Sequence, residues 1–331
     1  MVKDVNINGT RHVVRAAEES RCKALVYTSS CCAVTDDLNG SFANIDERWP
    51  VAEKSLIYGE SKVEAEKVVI AANHRVSAES PDADKNEADS DLENSSHDSP
   101  QSAMSTCVLR PSVLFGEGDN QLIPPIHACI AKRETRYRIG GGRNLWDTSY
   151  VGNVADAHVL AVENLLCTQS RWEMDGGGGG GGGNGGSGVS SVRCGSNGAG
   201  TAAGETFFIQ NNEPISFREF SLAVWKEFGH FPPPLEIPIP EGLGWVLGLL
   251  AEAFTRITGT PTTLSRGSVR DAVSMRYASG AKASSVLGYY PRVGLEAGIK
   301  RSCQVSGGWS PVLLASCGSS AARQRLLTSE G

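Results

Sequence analysis

Lys23-Ala24-Leu25-Val26-Tyr27-Thr28-Ser29-Ser30 is the stretch that decides the fold. Residues 24–27 are apolar, which predicts a buried strand, and three hydroxyl side chains follow directly. In an open α/β sheet, ligands bind outside the carboxyl ends of the strands. We therefore expect Ser29 and Ser30 at the ligand-binding edge of a parallel sheet.

A helix farther along the chain carries Tyr58 and Lys62. Apolar residues recur at helical spacing from Tyr58 to Ala72, so the two side chains share one face, with their Cβ atoms about 5–6 Å apart. A free phenol titrates near pH ~10. A fixed ammonium beside it is expected to lower that pKa, which lets the pair exchange a proton with an alcohol or a ketone.

Such a pair also arises by chance. A chain of this length and composition is expected to contain about 0.2 Tyr-x-x-x-Lys pairs by chance. The alternative interpretation is therefore a surface helix that carries an unrelated Tyr and Lys. The upstream strand that ends in Thr28, Ser29 and Ser30 favours the catalytic interpretation, because strand and helix together are far more specific than either alone.

Composition limits the class of protein. The length of 331 residues suggests about two domains, and the net charge of −6 argues against nucleic acid as the main partner. The nine cysteines form no C-x-x-C pair and no cluster with His at metal spacing, so we predict reduced thiols and no metal site. The opening residues contain no apolar signal segment, so we expect a protein that is not secreted.

Helical and extended segments alternate, as in a parallel α/β sheet. Residues 31–50 are predicted to form an irregular polar loop, and Asn153 is predicted to cap a helix. The predicted helices cover residues 4–20, 50–74, 121–134, 153–166 and a segment that starts at Ser216 with Glu219 in a capping box, and the predicted strands cover residues 24–28, 107–109, 146–151 and 205–210.

Two segments interrupt this alternation. Residues 77–105 are acidic and polar, and we predict a disordered insertion. Residues 170–204 are glycine-rich, and we predict a flexible surface insertion. The glycine run 176–183 is not a dinucleotide-binding fingerprint, because no strand precedes it and no apolar helix follows it.

The C-terminal part contains a proline-rich extended segment, residues 231–240, and an apolar segment, residues 243–257. The uncharged part of 243–257 is shorter than the ~20 residues that cross a membrane. Two alternatives remain for this segment: a helix in a membrane interface, and a core helix of a small domain. Residues 303–331 are predicted to form a loose tail.

The predicted architecture is α/β, with a Rossmann-like doubly wound parallel sheet and a smaller C-terminal α/β substrate domain. Four regions follow from it: a catalytic region at 1–169, a glycine-rich insertion at 170–204, a substrate-binding and membrane-associating region at 205–302, and a tail at 303–331.

Seven motifs occur in order along the chain. They are Val5-Asn6-Ile7-Asn8-Gly9-Thr10, Leu25-Val26-Tyr27-Thr28-Ser29-Ser30, Tyr58-x-x-x-Lys62, Leu109-Arg110-Pro111-x-Val113-x-Phe115-Gly116, Gly140-x-Gly142-x-Asn144, Asp147-x-x-Tyr150-Val151-x-Asn153-Val154-Ala155-x-Ala157-His158 and Phe207-Phe208-Ile209-x-Asn211-x-Glu213-Pro214. Their order and spacing resemble those of the extended short-chain dehydrogenase/reductases, and within them the 3β-hydroxysteroid dehydrogenase/isomerase family. The most similar branch oxidises sterol 4α-carboxylates at C3 with loss of CO2.

The resemblance implies a role for each matching residue. Tyr58 is implied as the catalytic acid/base, Lys62 as the group that binds the nicotinamide ribose and lowers the Tyr58 pKa, and Ser30 as the hydrogen-bond partner of the substrate oxygen. Residues implied on the cofactor side, with NAD or NADP as the cofactor, are Asn6, Ser29, Tyr58, Lys62, Pro111 and Val113.

Members of this family begin with a strand and a glycine-rich turn that holds the pyrophosphate, whereas this chain begins at the helix before the Thr28-Ser29-Ser30 strand. The resemblance therefore implies a sheet without its first βαβ units, and we expect the chain as given to bind NAD(P) weakly or not at all. The resemblance implies a steroid or sterol as the substrate. It implies a protein that is associated with the endoplasmic reticulum membrane or is cytoplasmic. Peripheral membrane contact through residues 243–257 and a homodimer are both compatible with it. Two alternatives stay open: a non-catalytic remnant, and a reductase of another ketone or of a nucleotide sugar.

Overall fold

The computed structural model describes residues 1–36, 40–51, 56–73, 104–175, 200–260, 262 and 264–305. A π-helical turn, Asp4–Asn8, precedes the first α-helix. The helices are α1 (Gly9–Glu19), α2 (Cys32–Thr35), α3 (Ile57–Ala71), α4 (Ile123–Ala131), α5 (Val151–Asp175), α6 (Phe217–Glu227), α7 (Glu241–Thr258), α8 (Arg266–Asp271), α9 (Ala281–Leu287) and α10 (Leu295–Val305). The strands are β1 (Ala24–Thr28), β2 (Phe42–Ile45), β3 (Ser105–Pro111), β4 (Val113–Phe115), β5 (Tyr137–Ile139), β6 (Leu145–Trp146), β7 (Thr148–Tyr150), β8 (Thr206–Ile209), β9 (Ile215–Ser216), β10 (Ile237–Ile239) and β11 (Arg276–Ala278).

A parallel sheet with the order β1-β3-β8 forms the centre of the fold. Strands β1 and β3 pair in register from Ala24 opposite Ser105 to Thr28 opposite Leu109. Every residue of β3 is buried, as expected for a central strand of a parallel sheet.

Helices cover both faces of this sheet. Cys107 and Leu109 of β3 pack in a core with α5 and α9, whereas Val108 packs in a second core with α1 and α3. This alternation follows from the two-residue period of a strand. The predicted Rossmann-like doubly wound α/β architecture is confirmed.

A second, mixed sheet has the order β2-β11-β6-β9, in which only β6 and β9 are antiparallel. It is joined to the central sheet at the end of β8, where Phe208 packs with Phe42, Ile45 and Ala278. Two of its strands, β2 and β6, come from the first half of the chain and two, β9 and β11, from the second half. The predicted domain boundaries at 169 and 205 stay a prediction.

Two predictions around the Tyr58 helix are wrong. The helix α3 begins at Ile57 rather than Pro50 and ends at Ala71 rather than His74. Its start is set by a tertiary contact, because the Asp36 carboxylate accepts the N–H of Gly59 at 3.0 Å. The predicted irregular loop 31–50 contains a helix, α2, and a strand, β2.

Helix α5 also differs from its prediction. It begins at Val151, so Asn153 lies inside the helix, where its side-chain oxygen accepts the N–H groups of Arg292 and Val293 at 3.0 Å each. The helix continues to Asp175, so residues 170–175 are helical rather than part of an irregular insertion.

Regular structure extends into two of the segments that were predicted to be irregular. Strand β3 begins at Ser105, inside the predicted insertion 77–105, and α10 continues to Val305, inside the predicted tail. Residues 77–103, 176–199 and 306–331 lie outside the described residues.

Two further predictions concern the capping box at Ser216 and the oxidation state of the cysteines. The capping box is confirmed: the Ser216 hydroxyl accepts the Glu219 N–H at 3.1 Å, and the Glu219 carboxylate accepts the Ser216 N–H at 3.0 Å. The prediction that all cysteines are reduced is wrong at Cys167, which is disulfide-bonded.

Helix α7 lies on the surface, so the alternative of a core helix is wrong. Its buried residues are Gly244 and Gly248, and Gly248 lies so close to the backbone of Ser265 and Arg266 that an added Cβ would come within 2.8 Å of it. Within the described residues, no helix is both long enough and apolar enough to cross a membrane.

Candidate active site

The helix α3 carries Tyr58 and Lys62 and is fixed to the central strand by buried polar contacts. Arg110, at the end of β3, donates two hydrogen bonds to the Glu66 carboxylate at 2.8 and 2.5 Å, and each side chain is only 7% exposed. The Thr106 hydroxyl donates to the carbonyl of Val69 at 2.7 Å. Because bidentate Arg–carboxylate pairs constrain geometry, these contacts fix α3 relative to the carboxyl end of β3.

Two further contacts fix the first turn of α3. The Asn6 amide donates to the Ser61 hydroxyl at 2.9 Å, so Asn6 contacts α3 directly. A Cβ at Gly59 would lie 2.5 Å from the carbonyl oxygen of Cys32. Only glycine therefore allows α3 to approach α2 this closely.

Tyr58 and Ser30 face each other at the carboxyl end of β1. The Ser30 hydroxyl interacts with the phenol of Tyr58 and lowers its pKa, but burial and the neighbouring Cys32 outweigh this contact and raise the pKa to about 12. The prediction that the Tyr58 pKa is lowered is therefore wrong, because the protein groups around the phenol raise it. Ser30 itself is held in place because its oxygen accepts the Cys32 N–H at 3.2 Å.

Lys62 is held by the end of β1. Its ammonium donates to the carbonyl of Thr28 at 3.1 Å and to the hydroxyl of Tyr27 at 3.4 Å, and it lies 5.9 Å from the centre of the Tyr58 ring. Burial lowers the pKa of Lys62, while the charge of Glu66 opposes that shift. The predicted shared face is present, but strand β1 rather than Tyr58 determines where the ammonium sits.

The other predicted site residues lie at the same edge of the sheet. Ser29 is 4% exposed, and its hydroxyl has no hydrogen-bond partner among the described residues. The carbonyl of Pro111 accepts the N–H of Cys31 at 2.9 Å, which joins the ends of β1 and β3. Val113, in β4, lines a cavity beside them.

This cavity has a volume of about 30 Å³ and lies between the ends of the central sheet and the second sheet. Its lining residues are Cys31, Cys32, Thr35, Ser112, Val113, Trp146, Asp147, Gln210, Arg276, Tyr277 and Ala278.

Three polar residues of this cavity were not predicted from the sequence. Gln210 directly follows β8, so the rule that pointed to Ser29 and Ser30 could have found it. Asp147 lies in a motif that carried the resemblance but received no role. Arg276, on the short strand β11, gave no signal in the sequence.

The model of the 3-beta hydroxysteroid dehydrogenase/isomerase family matches residues 1–82 and 85–177. The sterol-4-alpha-carboxylate 3-dehydrogenase, decarboxylating, of Saccharomyces cerevisiae is 32% identical over 90% of this chain and 70% of its own length. The protein of the same description from Schizosaccharomyces pombe is also 32% identical, over 90% of this chain and 71% of its own length.

A solved structure shares the fold. It is a dTDP-glucose 4,6-dehydratase from Bacillus anthracis in complex with NAD, with a TM-score of 0.54 and 15% identity over 94% of this chain and 71% of the other. Together with the arrangement of Tyr58, Lys62 and Ser30 at the end of β1, the family match and the yeast relatives lead to one conclusion: the chain belongs to the 3-beta hydroxysteroid dehydrogenase/isomerase family.

Proposed function

We propose that this protein oxidises the 3β-hydroxyl of a steroid or sterol, with NAD or NADP as the hydride acceptor. The meeting of Tyr58, Ser30 and Lys62 at the carboxyl end of β1 is the observation that carries this proposal. The yeast relatives support a sterol 4α-carboxylate as the substrate, which would lose its carboxylate as CO2.

Tyr58 acts as the base in this reaction. The substrate hydroxyl binds between the hydroxyls of Ser30 and Tyr58, and its proton passes to the Tyr58 phenolate as hydride leaves C3. Ser30 favours the phenolate, as its effect on the Tyr58 pKa shows, but protein groups alone leave that pKa at about 12. When bound, an oxidised nicotinamide supplies the hydride acceptor and a positive charge that favours the phenolate.

The residues present fit such a cofactor. The buried hydroxyl of Ser29 has no partner among the described residues and lies at the edge where ligands of α/β sheets bind. Lys62 has three N–H donors, and its bonds to Thr28 and Tyr27 leave one for a ribose hydroxyl. Asn6 would act through Ser61 by keeping α3 in place.

Loss of CO2 follows from the ketone that oxidation creates. The carboxylate then lies on the carbon next to the ketone, and the bond to the carboxylate breaks with its electron pair moving toward the ketone oxygen. Ser30 and Tyr58 hold the resulting enolate oxygen by hydrogen bonds, and a proton then adds to the carbon that has lost CO2.

Removal of the phenol oxygen of Tyr58 tests this proposal. In the protein extended at its N-terminus by the βαβ units of a family relative, Tyr58→Phe should lower the rate of 3β-hydroxysterol oxidation by roughly 10²–10⁴-fold, because only the proton-transfer group is lost. Tyr290→Phe, on an exposed tyrosine outside the site, is the matched control and should retain the wild-type rate.

Calorimetric titration with NAD+ and NADP+ should give the same affinity for wild type and Tyr58→Phe, and it also tests the weak binding expected from the sequence. Near-normal oxidation by Tyr58→Phe would refute the acid/base assignment. Wild-type protein that oxidises no 3β-hydroxysteroid but turns over a nucleotide sugar would favour the alternative substrate class.

A further inference from the structure

Two adjacent thiols lie between the central strand β1 and the Tyr58 helix. Cys31 directly precedes α2, Cys32 is its first residue, and both are free and half-buried. The Cys32 thiol donates a hydrogen bond to the Cys31 sulfur, and the Thr35 hydroxyl donates to the same sulfur at 3.9 Å. Hydrogen bonds to a sulfur favour the thiolate, which is the nucleophilic form of cysteine.

The two thiols differ in how readily they ionise. The hydrogen bond from Cys32 is the largest effect on Cys31 and, with the smaller effects of Thr35 and the charge of Arg276, lowers the pKa of Cys31 to about 7 against the opposite effect of burial. The same hydrogen bond, together with burial, raises the pKa of Cys32, so this thiol keeps its proton. Cys31 can therefore attack an electrophile, while Cys32 holds a second sulfur and a proton beside it.

The cavity described above gives a small molecule access to this pair, because Cys31 and Cys32 both line it. Its volume is about 30 Å³, and a water molecule needs roughly 10–15 Å³ of such space, so molecules of about that size fit. Gln210 is 1% exposed, and its Nε2 has no hydrogen-bond partner among the described residues. The carboxyl group of Asp147, which is 2% exposed, lines the same cavity. These groups suit a very small molecule that both accepts and donates hydrogen bonds, and hydrogen peroxide is such a molecule.

We propose that Cys31 and Cys32 form a dithiol that hydrogen peroxide oxidises to a disulfide. The Cys31 thiolate attacks one oxygen of the peroxide and the O–O bond breaks, which leaves a sulfenic acid on Cys31 and a hydroxide that takes up a proton to become water. The Cys32 sulfur then attacks the sulfenic sulfur, and the departing hydroxyl leaves with the Cys32 proton as a second water. The thiols lose two electrons in total, and the peroxide is reduced to two waters.

Adjacency makes this disulfide strained. Neighbouring Cα atoms are about 3.8 Å apart, whereas a disulfide usually joins Cα atoms that are about 4.4–6.8 Å apart. The first turn of α2 must therefore move when the bond forms. The N–H of Cys32 in this turn donates to the Ser30 hydroxyl at 3.2 Å, so oxidation displaces the hydroxyl that faces Tyr58. Because strained disulfides are easily reduced, the change is reversible.

Peptide mass spectrometry of the full chain tests the chemistry without an activity assay. After treatment with hydrogen peroxide, the wild-type peptide that contains both cysteines should lose two hydrogen atoms, and dithiothreitol should restore them. Cys32→Ser removes the second sulfur, so oxidation should stop at a sulfenic acid on Cys31 that dimedone traps. Cys31→Ser removes the thiolate, so oxidation at Cys32 should be slower than at Cys31 in wild type by roughly 10-fold or more.

Cys22→Ser is the matched control. Cys22 is also free and half-buried, but it is not next to another cysteine in the sequence, and its thiol donates to the carbonyl of Ala24 at 3.3 Å. This variant should form the disulfide at the wild-type rate. In wild type, Cys22 should be oxidised more slowly than Cys31 by roughly 3- to 10-fold, because a larger thiolate fraction outweighs a lower intrinsic nucleophilicity.

Hydrogen exchange measures the effect on the site. Exchange in residues 28–35 should become faster on oxidation and return to its first rate on reduction. Equal oxidation of Cys22 and Cys31, or a wild-type peptide that gains oxygen without losing two hydrogen atoms, overturns the dithiol. A disulfide that leaves the exchange of residues 28–35 unchanged overturns the displacement of Ser30. None of these readouts requires a steroid or a nicotinamide, so their failure is separate from a failure of the proposed function.

Discussion

At the scale of single residues, Asp147 links the cavity to stability. It is 2% exposed, and burial raises the pKa of its carboxyl to about 7, although the N–H group of Thr148 opposes the shift. Between about pH 4 and pH 7 the folded protein keeps this proton while the unfolded chain, with a normal pKa, has lost it. The folded state then binds more protons, so the free energy of unfolding falls as pH rises through this window, by at most about 4 kcal/mol.

Asp147→Asn should remove this pH dependence, because an amide cannot ionise. In urea unfolding at pH 8, the variant should exceed the wild type in unfolding free energy by roughly 1–4 kcal/mol, and at pH 4 the two should agree. Glu163→Gln, on an exposed residue of α5, is the control and should change little at either pH. A difference of the same size at pH 4 and pH 8 would contradict the proposed titration of Asp147.

Tyr58 and Lys62 show what the sequence can predict at this scale. Their shared face follows from helical spacing, which is a local property, and the structure has it. The direction of the Tyr58 pKa shift depends on burial and on Cys32, which belongs to another helix, so no spacing rule could have predicted it. Ser30 was expected at the carboxyl end of its strand, which is also a local feature, and the structure places it beside Tyr58.

At the scale of elements, some helix starts are set by local signals, which the sequence predicts, and others by tertiary contacts, which it does not. The start of α6 at its Ser216–Glu219 capping box was predictable, because both partners lie within one turn. The start of α3 was not, because Asp36, far from Gly59 in the sequence, supplies the acceptor. Pro50 gave a local signal for a helix start that this tertiary contact overrides.

Helix α7 presents an apolar face for which we propose contact with a membrane surface. Its exposed side chains lie at helical spacing, so they form one stripe opposite Gly244 and Gly248, which pack on the segment around α8. The exposed apolar residues are Leu243, Trp245, Val246, Leu247, Leu249, Leu250, Phe254 and Ile257. A sterol is itself a membrane molecule, and this stripe would bring the protein to the surface where its proposed substrate dissolves.

Two glutamates on this stripe test the proposal. Leu250→Glu with Phe254→Glu should weaken sedimentation with phosphatidylcholine vesicles by at least roughly 100-fold, since burying each such side chain contributes about 1.5–3 kcal/mol. A matched double variant, Val13→Glu with Val159→Glu, changes two equally exposed apolar residues on α1 and α5 and should bind vesicles as the wild type does. Equal binding by all three proteins, or none by wild type, would exclude α7 as the contact.

At the scale of the whole molecule, the cavity depends on pairings between distant parts of the chain. Arg276 of β11 pairs with Phe42 of β2 and with Trp146 of β6. Strands of two to four residues are too short for a periodic pattern, so neither these pairings nor the place of Arg276 could be predicted from the sequence. The central sheet could be predicted, because β1 and the middle of β3 are apolar runs between helices with clear apolar faces. The prediction that residues 24–27 form a buried strand is wrong in one respect: β3 is buried throughout, whereas residues 24–27 of β1 are only half-buried.

The connection between α5 and β8 is fixed to the fold at its C-terminal end. Asn164 of α5 fixes the chain where it returns to the fold: its side-chain oxygen accepts the N–H of Ala202 at 2.8 Å, and its amide donates to the carbonyl of Val286 at 3.1 Å. At 1.5 Å per residue, the end of α5 at Asp175 lies about 16 Å beyond Asn164. Residues 192–199 alone can span roughly 26 Å when extended, so 176–191 are not needed to close this connection.

Deletion of residues 176–191 should therefore leave Tm within about 2 °C of the wild type, since the cost of closing a loop changes slowly with its length. Asn164→Ala, which removes the three side-chain bonds of this residue but keeps the glycine-rich segment, should instead lower the free energy of unfolding by about 1–3 kcal/mol. Thermal unfolding of the three proteins by circular dichroism decides between the two causes. If the deletion lowered Tm by more than Asn164→Ala does, the glycine-rich segment itself would stabilise the fold, and its interpretation as a surface insertion would have to be abandoned.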